Sequence, residues 1–191
     1  AMSRARTHGK NSYDFYSADM NERAHERLML ESRLHRAIER DEIQVFYQPQ
    51  VHLVTGRITG LEALARWKDP EKGIVSPATF IPLAEETGLI VPIGEIVLKK
   101  ACNQLRAWHQ AGHSSLTMSV NLSAVQFRQP ELASLVNTVL TKESLDPGHL
   151  DLELTETSIM QDAETALQTL TKLKSMGISI SIDDFGTGYS S

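Results

Sequence analysis

Four hydrophobic runs in this chain each end in a side chain that carries a hard oxygen: Glu62, Asn121, Glu153 and the pair Asp183-Asp184. They follow one another at intervals of 59, 32 and 30 residues, one or two strand–helix units apart. A parallel strand–helix repeat returns the C-terminal end of each strand to one rim, so groups distant in sequence meet there. Oxygen donors without His or Cys among them favour Mg²⁺ or Mn²⁺ over Zn²⁺. The pattern therefore predicts an α/β fold whose strand ends share a divalent cation and act on phosphoryl groups.

The connections refine that fold. Ile43–Gln48 and Ile58–Ala65 are strand candidates joined across Thr55-Gly56-Arg57. So short a link cannot make a parallel crossover, which places these two strands antiparallel. Ser76 is a candidate N-cap with Pro77 in the first turn of a helix that runs to about Thr87 and breaks at Gly88. A second helix is expected from near Gly94 to Ala111, ended by Gly112. Strand Leu116–Leu122, helix Pro130–Thr141, strand Leu150–Leu154, helix Asp162–Met176 closed by Gly177, and strand Ile178–Ile182 complete the alternation. Five strands alternating with helices imply βαβ units and a parallel sheet or barrel. Ahead of them, residues 21–40 form a charged helix with Leu30, Leu34, Ala37 and Ile38 at helical spacing, either a linker or a helix packed on its own domain.

Each candidate site residue has a plainer alternative. Asp183-Asp184 sits at the tip of a buried strand, with Gly186-Thr187-Gly188 clearing side chains beside it; otherwise one Asp caps a turn and the other is solvated. In Leu150–Glu156, alternation sends Asp151, Glu153 and Thr155 one way and the leucines the other. If the leucines face helices, Glu153 points into the barrel mouth; otherwise this is a wet edge strand. Asn121 by itself reads as a turn former. Glu62 and Arg66 share a parity, the acid suited to a metal and the arginine to a phosphate, unless they pair with each other. The seven histidines show no ligand spacing and are assigned to the surface or to caps. Trp67 and Trp108 are assigned to the core, and Lys99-Lys100 to a solvated helix face.

Composition narrows the partners. The 191 residues carry a formal net charge of -5, with 41% hydrophobic and 23% charged residues, ordinary for one globular domain. A mildly acidic balance argues against coating a nucleic-acid polymer. The lone Cys102 cannot form an internal disulfide, which fits a reducing, cytoplasmic setting, and its helical neighbours make it a core thiol. No apolar stretch reaches the ~18 residues needed to span a bilayer, so no membrane contact is expected from this segment, although a parent protein could be anchored elsewhere.

The run Glu62–Trp67, reading EALARW, resembles the signature of the EAL-domain family, cyclic di-GMP phosphodiesterases. Tyr47-Gln48-Pro49, Phe80–Glu85, Asn121-Leu122-Ser123, Glu153–Glu156 and Asp183–Ser190 match in the family's order, over roughly residues 42 to 191. Residues 1–20, through Gly9–Tyr16, resemble the end of a GGDEF domain, and 21–41 the helical linker between the two. The resemblance implies a modified (β/α)8 TIM-type barrel with one antiparallel strand. It implies metal binding by Glu62, Asn121, Glu153, Asp183 and Asp184, with one or two Mg²⁺ or Mn²⁺ ions, and catalytic roles for Glu62, Glu156 and Asp184. Glu156 would steady the loop after Asp183-Asp184, and Gln48, Leu64 and Arg66 would contact the dinucleotide. The implied reaction is hydrolysis of cyclic di-GMP to linear pGpG; the alternatives are a non-cutting receptor or a regulatory interaction module. Such a barrel needs eight strands and about 250 residues, whereas Ile43 to Ser191 holds 149. The family's later lysine, glutamate and glutamine are absent from the sequence. The piece alone is therefore expected to have an open hydrophobic interior and to lack full activity; either the rest of the barrel follows in a longer protein, or the piece pairs as a homodimer or with another chain.

Overall fold

The computed structural model of the chain describes residues 18–155 and 163–183. Helix α1 (Ala18–Glu39) precedes an antiparallel pair, β1 (Ile43–Val51) and β2 (Ile58–Asp69), and a short β3 (Gly73–Val75). Helices α2 (Pro77–Thr87) and α3 (Ile90–Gln110) lead to β4 (Thr117–Leu122). A four-residue helix α4 (Ala124–Phe127) and α5 (Leu132–Glu143) follow, then β5 (Leu150–Thr155), α6 (Ala163–Ser175) and β6 (Ser179–Asp183). The sheet runs β1-β2-β4-β5-β6, with β3 paired to the far end of β2. β1 is antiparallel to β2, while β2, β4, β5 and β6 are mutually parallel. This is the mostly parallel, TIM-barrel-like α/β architecture that the connection lengths imply.

Alternation within the strands decides where the core lies. Met118, Val120 and Leu122 of β4, and Leu150, Leu152 and Leu154 of β5, are buried against the outer helices, which contribute Ile93, Val97, Ala101 and Leu105 from α3 and Val136 and Leu140 from α5. The opposite face of the same strands is polar. The expected open hydrophobic interior holds only beside β1 and β2, where Phe46 and Ile58 are exposed; the main apolar layer is between sheet and helices, and the rest of the concave side presents Gln50, Glu62, Ser119, Asn121, Asp151, Glu153, Ser181 and Asp183.

Several other expectations need correction. Six strands are present among the described residues, because β3 is too short to leave a periodic signal. Helix α3 begins a turn early, at Ile90, and α5 begins at Leu132, beyond Pro130. Ser76 precedes α2 in an extended conformation but makes no side-chain cap; its carbonyl accepts from the Thr79 and Phe80 N–H groups instead. Lys100 is not solvated: its Nζ donates to Ile43 O at 2.7 Å and pairs with Asp41 Oδ1 at 2.6 Å, tying α3 to the start of β1. His109 and His149 are not mere surface groups. Their rings meet edge to face with centroids 4.8 Å apart, and His109 Nε2 lies 2.8 Å from Leu116 O. Trp67 is fully buried and Trp108 half-buried, meeting Tyr47 edge to face. Cys102 is fully buried, and that burial, reinforced by Glu143, pushes its thiol pKa up to about 12. No helix among the described residues is long and apolar enough to cross a membrane.

Helix α1 divides in two. Leu34 and Ala37 are fully buried and Arg33 pairs with the buried Asp69, so the second half packs on the domain. Leu28 and Met29, nearer its start, are 64% and 50% exposed. The segment Gly9–Tyr16 lies outside the described residues.

Candidate active site

Glu62, Asn121, Glu153 and Asp183 occupy four adjacent strands and lie on one face, the concave one. Register shows how. Glu62 sits opposite Ser119, Asn121 opposite Glu153, and Thr155 opposite Asp183, while the residues between them point their apolar side chains at helices. Because the four strands are parallel, these groups approach one rim. Asn121, two residues beyond Glu62's register partner, leans back across the strand gap and donates from Nδ2 to Glu62 Oε1 at 2.7 Å.

The carboxylates crowd one another. Glu153 has a pKa raised above the ordinary carboxylate value, first by burial, then by the charges of Glu62, Asp151 and Asp183; a hydrogen bond from the Ser119 hydroxyl partly opposes this. Like charges held on one face favour either a proton or a cation between them. Among the described residues, no three His, Cys, Asp or Glu side chains gather tightly enough to form a metal cluster by themselves. The donor set nevertheless fits a hard cation. It consists of carboxylate and amide oxygens on adjacent strands, and their mutual repulsion would be relieved by divalent charge. Asp184 and Glu156 fall outside the described residues.

Of the three residues expected to touch substrate, Gln48 is exposed on β1 directly opposite Glu62, and Leu64 and Arg66 continue the same face of β2 toward the rim. Arg66 does not pair with Glu62 in any ion pair found among the described residues. Its Nη1 donates to Ala65 O at 2.8 Å, and its guanidinium lies 5.7 Å from the ring centroid of Phe46. That arrangement leaves a cation on the same concave wall as the carboxylates, supported by an aromatic ring. Sequence reasoning missed Phe46, which is half exposed on the interior side of β1, and also Gln50, Ser119 and Ser181. The available signal was the polar member of each alternating pair in β4 and β6, namely Thr117, Ser119, Asn121 and Ser179, Ser181, Asp183.

Comparison with known proteins bears on this geometry. The model of the EAL domain matches residues 31–191, beginning in α1 beside Leu30, where the helix first packs on the core. Over all 191 residues the chain is 48% identical to the bifunctional diguanylate cyclase/cyclic di-GMP phosphodiesterase MucR of Pseudomonas aeruginosa, and spans 28% of that protein's length. Among solved structures, the MucR phosphodiesterase in complex with c-di-GMP superposes with a TM-score of 0.82 at 49% identity, over 85% of this chain and 66% of that one. The EAL enzyme Bd1971, in a form with cAMP and cyclic di-GMP bound, gives 0.81 at 35% identity, over 87% of this chain and 46% of that one. The family match covers most of the chain, helix packing and sheet included: this protein belongs to the EAL-domain family.

Proposed function

We propose that the domain hydrolyses cyclic di-GMP, adding water across one phosphodiester bond to give linear pGpG, with Mg²⁺ or Mn²⁺ held by Glu62, Asn121, Glu153 and Asp183. The carrying observation is that those four side chains share one face of four adjacent parallel strands, with Asn121 bonded to Glu62 and Glu153 beside the charges of Glu62 and Asp183. A divalent cation supplies two things there: it lowers the pKa of water and offsets charge on the phosphodiester. The chain's own residues do the rest. Asn121 fixes one Glu62 oxygen, and the other would serve the cation. Arg66, restrained by Ala65 O and Phe46, offers donors to a phosphate oxygen. Gln48, opposite Glu62, offers an amide to the edge of a base. Asp184 and Glu156, in the motifs that continue β6 and β5, would complete the metal site and steady the loop beside it. The chain's similarity to a phosphodiesterase solved with c-di-GMP supports this substrate.

Purified protein that carries the complete domain should, with Mn²⁺, convert cyclic di-GMP to pGpG by chromatography, and Glu62→Ala in it should abolish turnover without unfolding the domain. Tight binding of cyclic di-GMP without product would replace the hydrolase with a receptor. Neither binding nor product would leave an interaction module.

A further inference from the structure

The side chains that β1 turns to the concave face belong to Gln44, Phe46, Gln48 and Gln50, amides interrupted by one aromatic ring. Phe46 keeps half of its surface in solvent there, so burial does not account for it. Tyr47 beside it turns the other way, meeting Trp108 and the Lys100 carbonyl of α3. Phe46 is opposite Leu64, and Arg66 is the next residue along on that face of β2. Such diagonal neighbours on an antiparallel pair are within reach of aromatic and long side chains. The Arg66 guanidinium carbon lies over the Phe46 ring, 5.7 Å from its centroid.

Little else restrains the free end of Arg66. It pairs with no carboxylate among the described residues. Gln44, directly opposite on β1, turns its Nε2 back to Asp41 O at 2.9 Å. Nη1 donates to Ala65 O at 2.8 Å, which fixes one corner of the guanidinium. One hydrogen bond leaves the group free to swing about that corner; a ring beneath it opposes the swing. The ring attracts the cation through its π face and consumes no N–H group, so the remaining donors stay available. A carboxylate partner would instead occupy the in-plane fork that a phosphate needs.

We infer that Phe46 is a positioning residue for Arg66: its ring holds the guanidinium on the concave wall with the free N–H groups open to a phosphate oxygen of the ligand. The inference rests on the reading of Arg66 as a phosphate contact given above. Cyclic di-GMP should be titrated by calorimetry into protein that carries the complete domain, with a chelator present so that nothing is hydrolysed. Phe46→Leu should bind it about threefold to tenfold more weakly than the parent. Phe46→Tyr, which keeps the ring, should retain the parental affinity, and Phe46→Met decides the matter if Phe46→Leu does not fold. Arg66→Gln, which keeps a donor without the charge or the planar fork, should weaken binding by itself. On that background Phe46→Leu should weaken it no further, because the two residues act as one unit. Parental affinity in Phe46→Leu, with a loss in Arg66→Gln, overturns the role of Phe46 and leaves the Arg66 contact standing. Parental affinity in Arg66→Gln as well overturns that contact. An equal loss from Phe46→Leu on both backgrounds, or a loss that Phe46→Tyr shares, shows the ring acting on the ligand or the strand pair directly and overturns the inference.

Discussion

Asp69 illustrates how a single buried charge sets local stability. It is 3% exposed at the end of β2, where it pairs with Arg33 of α1 and accepts from the backbone N–H groups of Glu71 and Lys72 at 2.8 and 2.9 Å. Burial alone pushes its carboxyl pKa up; the Arg33 guanidinium and the two N–H groups outweigh that and hold it below the ordinary value. A carboxylate with a depressed folded pKa adds stability above its unfolded pKa, near 4, and loses it as pH falls through the lower folded value. Asp69→Asn should therefore cost about 3 kcal/mol at pH 7, the scale for breaking a buried pair. The gap between the variant and the parent in urea midpoint should shrink as pH drops below about 4. A gap that stays constant from pH 7 to pH 3 would remove Asp69 ionisation as its source. Arg33→Ala should be at least as damaging, because it leaves the carboxylate buried without its cation. Nothing in sequence spacing couples residues 33 and 69; the contact exists because α1 folds back over the β2–β3 turn.

At the scale of elements, α3 and α4 are fitted to each other through one glycine. Gly94 lies in the first turns of α3, where an alanine would ordinarily stabilise a helix by about 1 kcal/mol. Here a Cβ would fall 1.6 Å from Gln126 Nε2. Gln126 is buried, and its Oε1 accepts from Ser123 N at 3.0 Å, while Ser123 Oγ accepts from Gln126 N at 3.3 Å, a reciprocal cap for α4 directly after Asn121. Gly94→Ala should thus reverse the usual sign and destabilise by about 1–3 kcal/mol, as overpacking does. A calorimetric melting temperature at or above the parent's would refute that fit. Helix α1 makes a second prediction at this scale. Amide hydrogen exchange should be fast from residue 21 to 29 and slow around Leu34 and Ala37, because protection follows burial. Uniform protection along the helix would contradict the division. The glycine stops were readable in advance, since Gly88, Gly112 and Gly177 all take positive φ at helix ends. The α4 cap was not, because four residues give no period.

For the molecule as a whole, the concave face concentrates negative charge in a sheet whose other face carries the core. A ligand that binds only the folded state adds stability by mass action, about 2.7 kcal/mol at a hundredfold excess over its dissociation constant. Mn²⁺ should accordingly raise the melting temperature of the parent but not of Glu153→Ala, and a chelator should reverse the rise. An equal rise in both proteins would place the ion elsewhere. What the chain's own order of residues determined was local: the strand–helix alternation, the antiparallel start forced by a short turn, and the opposite facing of leucines and acids in β5. Periodicity separates two faces but cannot say how neighbouring strands slide past each other. Only tertiary packing decided that, because crossovers of 20 residues or more leave the register to the helices lying on the sheet, across which Asn121 meets Glu62. The same packing left most of the concave side polar and set Gln50, Ser119, Asp151 and Ser181 in one hydrogen-bonded row, which no spacing along the chain encodes.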